Sequence, residues 1–169
     1  CAVRTALLLA GILGIICAAA GAVFSPWLLD IMSVPEEVRT GSLIYCRIYF
    51  GGIWAMILYN MMAGVLRAFG DSKKPLYVLV VCSVVNIVAD LILVGLLHTG
   101  VGGAAAATVL SQIVSVVLTA YFLVKSDFLE EKIGIRTMRI CKEHMGMMIN
   151  KGFPLALQSI LFPIANSIV

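Results

Sequence analysis

The chain alternates between long uncharged stretches and short charged interruptions. Thr5–Phe24 carries no charge, Gly41–Leu66 contains only Arg47, Leu76–Leu97 contains only Asp90, and Gly103–Val124 and Gly152–Val169 carry none. A helix needs about 20 apolar residues to cross the hydrocarbon core of a bilayer, and each run is close to that length. Barrel strands would alternate in polarity and last only about 10 residues. The pattern predicts an all-α integral membrane protein with four transmembrane helices near 5–24, 41–66, 76–97 and 103–124, and a fifth that begins at Gly152. The first residue is not Met, and the last run stops at Val169 without a cap or charge, so both ends are expected to be truncations. The first run is too long for a signal peptide and more spans follow it.

The interruptions differ in character. Ser25–Thr40 holds Trp27, Asp30, Pro35, Glu36 and Glu37; Trp27 after Pro26 suits an outer aromatic belt, with a short interfacial turn across Pro26–Met32. In Arg67–Pro75, Gly70, Asp71 and Ser72 supply turn and capping residues and Pro75 opens the next helix. His98–Gly102 is a five-residue turn that makes its flanking helices neighbours. Lys125–Lys151 is the longest and most charged. Within it Met138, Cys141, Met145 and Met148 recur at helical spacing while Arg139, Lys142 and Glu143 fall off the stripe, as in an amphipathic helix lying on a membrane surface.

Composition agrees with lipid as the solvent. Apolar residues make up 62% and charged residues 12%, with a mean hydropathy of +1.07; soluble domains run near 45–50% and about 25%. The net charge of +3 hides a strong asymmetry. If every span crosses, Arg4, Arg67, Lys73, Lys74, Lys125, Lys132, Arg136, Arg139, Lys142 and Lys151 share one side, while Arg39 and three acids share the other. The positive-inside rule makes the basic side, with loops 67–75 and 125–151, cytoplasmic. Cys1, Cys17, Cys46, Cys82 and Cys141 are scattered without a metal or disulfide spacing and read as small apolar fillers.

Polar residues inside the spans carry the chemistry, because a carboxyl in hydrocarbon is expensive and functional by default. Asp90 is the only acid in any span, and Asn86 lies one helical turn before it on the same face. At ~1.5 Å per residue, Asp90 sits ~10 Å from the outer end of its helix, and Thr108 and Gln112 of the next helix lie ~8 and ~14 Å deep. Asn86, Asp90, Thr108 and Gln112 can therefore converge on one pocket in the outer half of the membrane. Such a group suits a hard monovalent cation or a proton, since hydrocarbon disfavours an unpaired ionised carboxyl. The alternative is a structural Asp90 paired with Arg47, a residue that can also snorkel to the outer surface. Gly103, Ala107, Ser111, Ser115 and Thr119 recur every four residues as a close-packing stripe, with a weaker one at Gly11, Gly14 and Ala18. Pro163 should kink the fifth span. No nucleophile–base pair, phosphate loop or metal motif appears, which speaks against an enzyme.

The stretch GVLRAFGDSKKPLYVLVVCSVVNIVADLILV, then GVGGAAAATVLSQ and KGFPLALQSILFPIAN, with PWLLDIMSVPEEV upstream, resembles the multidrug and toxic-compound extrusion (MATE) family. The Arg-Ala-x-Gly-Asp turn followed by Asn-x-x-x-Asp in the next helix is the specific part. The resemblance implies twelve helices in two six-helix lobes with alternating access to a central cavity. It places residues 1–124 in the later part of the N-terminal lobe, 125–151 in the interlobe linker and 152–169 at the start of the C-terminal lobe. It implies export of small organic, often cationic compounds across a bacterial or archaeal cytoplasmic membrane in exchange for H+ or Na+, with no cofactor or transition metal, no nucleic-acid partner and a monomeric state. The family's N-lobe cation site falls on Asn86, Asp90 and Thr108. No carboxylate stands in Gly152–Val169, where some members carry one. A lipid-linked oligosaccharide flippase would call for a more cationic cavity, a channel for cation flux without exchange, and a structural subunit for no buried acid.

Overall fold

The computed structural model describes residues 2–126 and, singly, Gly146, Asn150, Gly152 and Pro154. The surface helix expected across 138–148, the kink at Pro163 and most of the fifth span lie outside the described residues. Four long helices make up the rest: α1 (Ala2–Ile31), α2 (Glu36–Ala68), α3 (Lys73–Asp90) and α4 (Gly100–Val124), with a π-helical segment, Leu91–Leu96, continuing α3 toward α4. All four expected spans are helices that are long and apolar enough to cross a membrane, and the described chain is a multi-pass bundle.

The helices outrun their apolar cores. α1 passes straight through Pro26, where an interfacial turn was expected. Proline has no N–H to give the carbonyl four residues back, which here belongs to Ala22. The Ser25 hydroxyl takes over, donating to the Gly21 carbonyl at 2.6 Å and the Ala22 carbonyl at 3.2 Å. Serine side chains rescue freed carbonyls in this way inside membranes, so the Ser-Pro pair continues the helix. α1 ends five residues after Pro26: the Val34 N–H reaches back to the Leu29 carbonyl at 3.2 Å, with Ser33 in the left-handed region at φ 51. α2 ends in the same way with the residue this closure favours, Gly70 at φ 86, and the Asp71 N–H reaches the Leu66 carbonyl at 3.0 Å.

α1 packs on α2, α2 on α4 and α4 on α3, while α3 barely meets α2. Small residues set these approaches. The stripe Gly103, Ala107, Ser111, Ser115 and Thr119 is buried along α4. Gly52 of α2 sits beneath Val109 of α4, and Gly14 of α1 lies on the Trp54 backbone of α2. Larger apolar side chains, Met62, Val65 and Leu66 of α2 with Leu123 of α4, form a core at the basic end, flanked by Val3 and Leu7 of α1. Many other large apolar side chains, Ile15, Ile16, Val80 and Val117 among them, point outward. A soluble monomer could not carry so large an apolar surface; helices of this length and composition suit a bilayer.

Charged residues gather at the two ends. At one, Arg39 pairs with Asp30 across the α1–α2 turn and with Glu36 at 3.2 Å. At the other, Asp71 caps α3 by accepting the Lys74 N–H at 3.1 Å, and the Lys74 ammonium sits 2.8 Å from the same carboxylate. These two bonds hold the Asp71 carboxyl below its ordinary value of 3.8. The same ammonium reaches the Ser126 hydroxyl at 3.4 Å, tying the start of α3 to the end of α4.

Candidate functional site

Three side chains in the spans keep a buried polar atom without a hydrogen-bond partner: Asn86 through Nδ2, Asp90 through Oδ1 and Gln112 through Oε1. All three were expected from the sequence: Asp90 as the acid of its span, Asn86 by its place one turn away, and Gln112 by depth. An unsatisfied buried polar atom costs about 1–3 kcal/mol, more for a charged group, so three of them on neighbouring helices single out this part of the bundle.

A cavity of about 390 Å³ opens between α2, α3 and α4. Asn86 lines it from α3, and Thr108 and Gln112 line it from α4. Asp90 is not part of this lining. It stands one helical turn beyond Asn86 on the same face of α3, part-buried, just where the helix widens. The π-helical segment starts at the next residue; within it the Leu97 N–H bonds the Ile92 carbonyl five residues back at 2.9 Å. Such wide turns are frequent at functional sites. Its outer end is closed by Thr99, whose N–H and hydroxyl both donate to the Leu93 carbonyl, at 3.0 and 2.5 Å. The five-residue turn expected across His98–Gly102 is shorter still, because α4 begins at Gly100.

The Thr108 hydroxyl donates to the Ala104 carbonyl at 3.1 Å. Its proton is engaged within the helix and its lone pairs stay free, so toward a ligand it can only accept. Ser111 and Ser115 do the same toward Thr108 and Gln112, at 2.8 and 2.6 Å. Arg47 is exposed and, among the described residues, makes no ion pair with Asp90 or any other carboxylate. Sequence reasoning passed over Tyr59 and Asn60 of α2 and Cys82 and Ser83 of α3, which line the same cavity. Ser83 and Asn86 are three residues apart and share a helix face, a signal that was available; nothing local links Tyr59 and Asn60 to them.

A bundle of lipid-covered helices with an unpaired acid and amides in its interior defines a multi-pass membrane protein with a polar site between helices. Residues 1–92 match the family model MatE, and the chain belongs to that family. It is 33% identical over 170 residues to "Probable multidrug resistance protein YoeA" of Bacillus subtilis, covering 97% of this chain and 37% of the relative. Among solved structures, a multidrug resistance MATE family transporter in an outward-facing conformation superposes with a TM-score of 0.85 at 27% identity, over 97% of this chain and 36% of the other. An inward-facing conformation of such a transporter gives 0.76 at 29%, over 88% and 34%. The chain thus carries part of a MATE fold and spans a little over a third of the length of the relatives it matches.

Proposed function

We propose that the chain belongs to a cation-coupled antiporter that exports small organic compounds, with Asp90 as the group that takes up and releases the coupling H+ or Na+ and with Asn86, Thr108 and Gln112 beside it. One observation carries the reading: the Asp90 Oδ1 is buried in a membrane-spanning helix with no partner. A structural acid would be paired. An acid without a donor can be satisfied by a proton on itself or by a cation against it, and release of either restores the cost. The acceptor oxygens of Thr108 and Gln112 suit a positive ligand. The names borne by relatives, multidrug resistance proteins and MATE transporters, support export of organic compounds and speak for a transporter over an enzyme.

In this reading the end that holds Arg67, Lys73 and Lys74 faces the cytoplasm, the membrane is a cytoplasmic one, and residues 125–151 link two lobes. A ligand drives such a protein only through different affinities for the two access states; protonated and ionised Asp90 supply that difference. The test is drug resistance in an efflux-deficient bacterial host expressing the whole gene product or its Asp90→Asn variant at matched levels. Asp90→Asn keeps the shape and removes the titration, and resistance is expected to fall to that of the empty host. Equal resistance would remove the coupling role. Reconstituted vesicles with an imposed pH or Na+ gradient then identify the ion.

A further inference from the structure

α3 and α4 share a second, exposed face. On α3 it carries Lys73, Tyr77 and Val84, and on α4 Val117, Tyr121 and Lys125, all six exposed. Spacings of four and seven residues keep each set on one side of its helix. The two helices run in opposite directions, and the Lys74–Ser126 bond brings the start of one beside the end of the other. Both sets therefore read the same way from the basic end: a lysine, a tyrosine one turn (~6 Å) deeper, then valine.

Phe122 joins the two tyrosines. Its ring lies edge-on to both, 6.1 Å from Tyr77 and 5.8 Å from Tyr121 between centroids. The Lys125 ammonium donates to the Tyr121 hydroxyl at 3.3 Å and stands 5.6 Å from that ring's centroid. Two of its three protons stay free, and the phenol, having accepted, keeps its own proton to give. Among the described residues neither Lys73 nor Lys125 pairs with an acid, unlike Lys74, which Asp71 neutralises. Two ammonium groups above two phenols offer donors and net positive charge, the set that fits a phosphate oxygen. Tyrosines at this level also suit a membrane interface.

Deeper along the face every contact is apolar. A cavity of about 370 Å³ between α3 and α4 is lined only by Val, Ala, Ile and Leu, with Val84 and Val88 on one side and Leu110 on the other. Val84 lies ~10 Å and Val88 ~16 Å below Tyr77 along α3. One leaflet of hydrocarbon is about 15 Å deep, half of the bilayer's core. An acyl chain hung from the level of the lysines ends in the near half of this groove. A free anion makes no use of the groove, whereas a lipid occupies both parts.

We infer that Lys73, Lys125, Tyr77 and Tyr121 hold the phosphate of one anionic phospholipid, whose acyl chain runs down this face to the groove at Val84 and Val88. The site lies apart from the cavity beside α2 and does not depend on the role of Asp90.

The test uses the whole gene product in phosphatidylcholine vesicles. These are doped with a phosphatidylglycerol that carries a photoactivatable diazirine near the end of one acyl chain, or with a phosphatidylcholine bearing the same chain. After illumination, labelled peptides are mapped by mass spectrometry. The phosphatidylglycerol probe should label the peptides holding Val84, Val88 and Leu110 at least about tenfold more than the phosphatidylcholine probe, since each lysine contributes about fivefold to attraction for an anionic lipid. Lys73→Gln and Lys125→Gln should each lower the preference about fivefold and together bring the probes to parity. Arg67→Gln removes an exposed charge from the same end, on α2, and should lower it less than about twofold if the clamp is local. An equal loss with Arg67→Gln would mean general attraction to a basic surface and overturn the site. Equal labelling of wild type by the two probes overturns it as well. So does the absence of label from either probe, as when another helix or a second copy covers the face. The comparison of probes on wild type needs no substitution, so it decides the matter even where a variant fails to fold.

Discussion

Gly51 and Gly52 are consecutive in the middle of α2, and the structure separates them sharply. A methyl added to Gly51 meets nothing within 4 Å; added to Gly52 it would lie 2.4 and 2.8 Å from the two Val109 methyls of α4 and 3.0 Å from the Val109 Cβ. Valine is stiff at χ1, so the collision is relieved only by moving α2 from α4. Alanine gains about 1 kcal/mol over glycine in a helix interior at either position. Overpacking costs about 1–3 kcal/mol, and it applies at Gly52 alone. Gly51→Ala should therefore range from neutral to about 1 kcal/mol more stable, and Gly52→Ala from neutral to about 2 kcal/mol less stable. The difference between the two, about 1–3 kcal/mol, is roughly 5- to 150-fold in the folding equilibrium. Equilibrium unfolding in mixed micelles, or thermal unfolding in detergent with purified variants side by side, reads it out. Val109→Ala in the Gly52→Ala background should restore much of the loss, with a coupling energy of about 1 kcal/mol or more. If Gly52→Ala is as stable as Gly51→Ala, or the double variant is merely additive, α2 and α4 are not as close as described.

Two further outcomes follow from the helix ends. Ser33 and Gly70 occupy equivalent left-handed closing positions at φ 51 and 86, so Ser33→Gly should stabilise the protein by up to about 1 kcal/mol and Gly70→Ala should destabilise it by a similar amount, in the same unfolding assay. Lys74 holds the Asp71 carboxyl low, so its contribution is complete above the ordinary carboxyl value and is lost as pH falls through the lowered native one. The gap in thermal stability between wild type and Lys74→Met should thus be constant at neutral pH and shrink in acid; a gap that does not change with pH would show that the pair does not stabilise the fold.

The helices were legible because hydrocarbon demands about 20 apolar residues and tolerates few charges; nothing else produces four such runs separated by short polar turns. Their ends were less so. Apolar length reports the membrane's thickness, and α1 and α2 continue beyond it, as Glu36 and Ile31 show. Pro26 was misjudged because its effect depends on whether a neighbour can serve the orphaned carbonyl, and Ser25 does. The α4 stripe was correctly read as packing, since size decides how closely helices approach. Asp90 was legible because a carboxyl stands out in an apolar span, Asn86 because it shares a helix face with it, and Gln112 through depth, which is arithmetic on a rod. The π-helical segment after Asp90 was not, because Leu91–Leu96 is as compatible with one helical register as with the other. Neither was the α2 wall of the cavity, since Tyr59 and Asn60 reach the site only through the bundle's order in space.

That order leaves α3 braced along one flank. It rests on α4, touches α2 little beyond the Tyr59–Pro75 bond, and carries Asp90 at its far end. A rod clamped along one edge yields to a sideways push by rolling about the clamp. Any load on the free flank of α3 therefore meets the least resistance there, while α1, α2 and α4 pack as one frame.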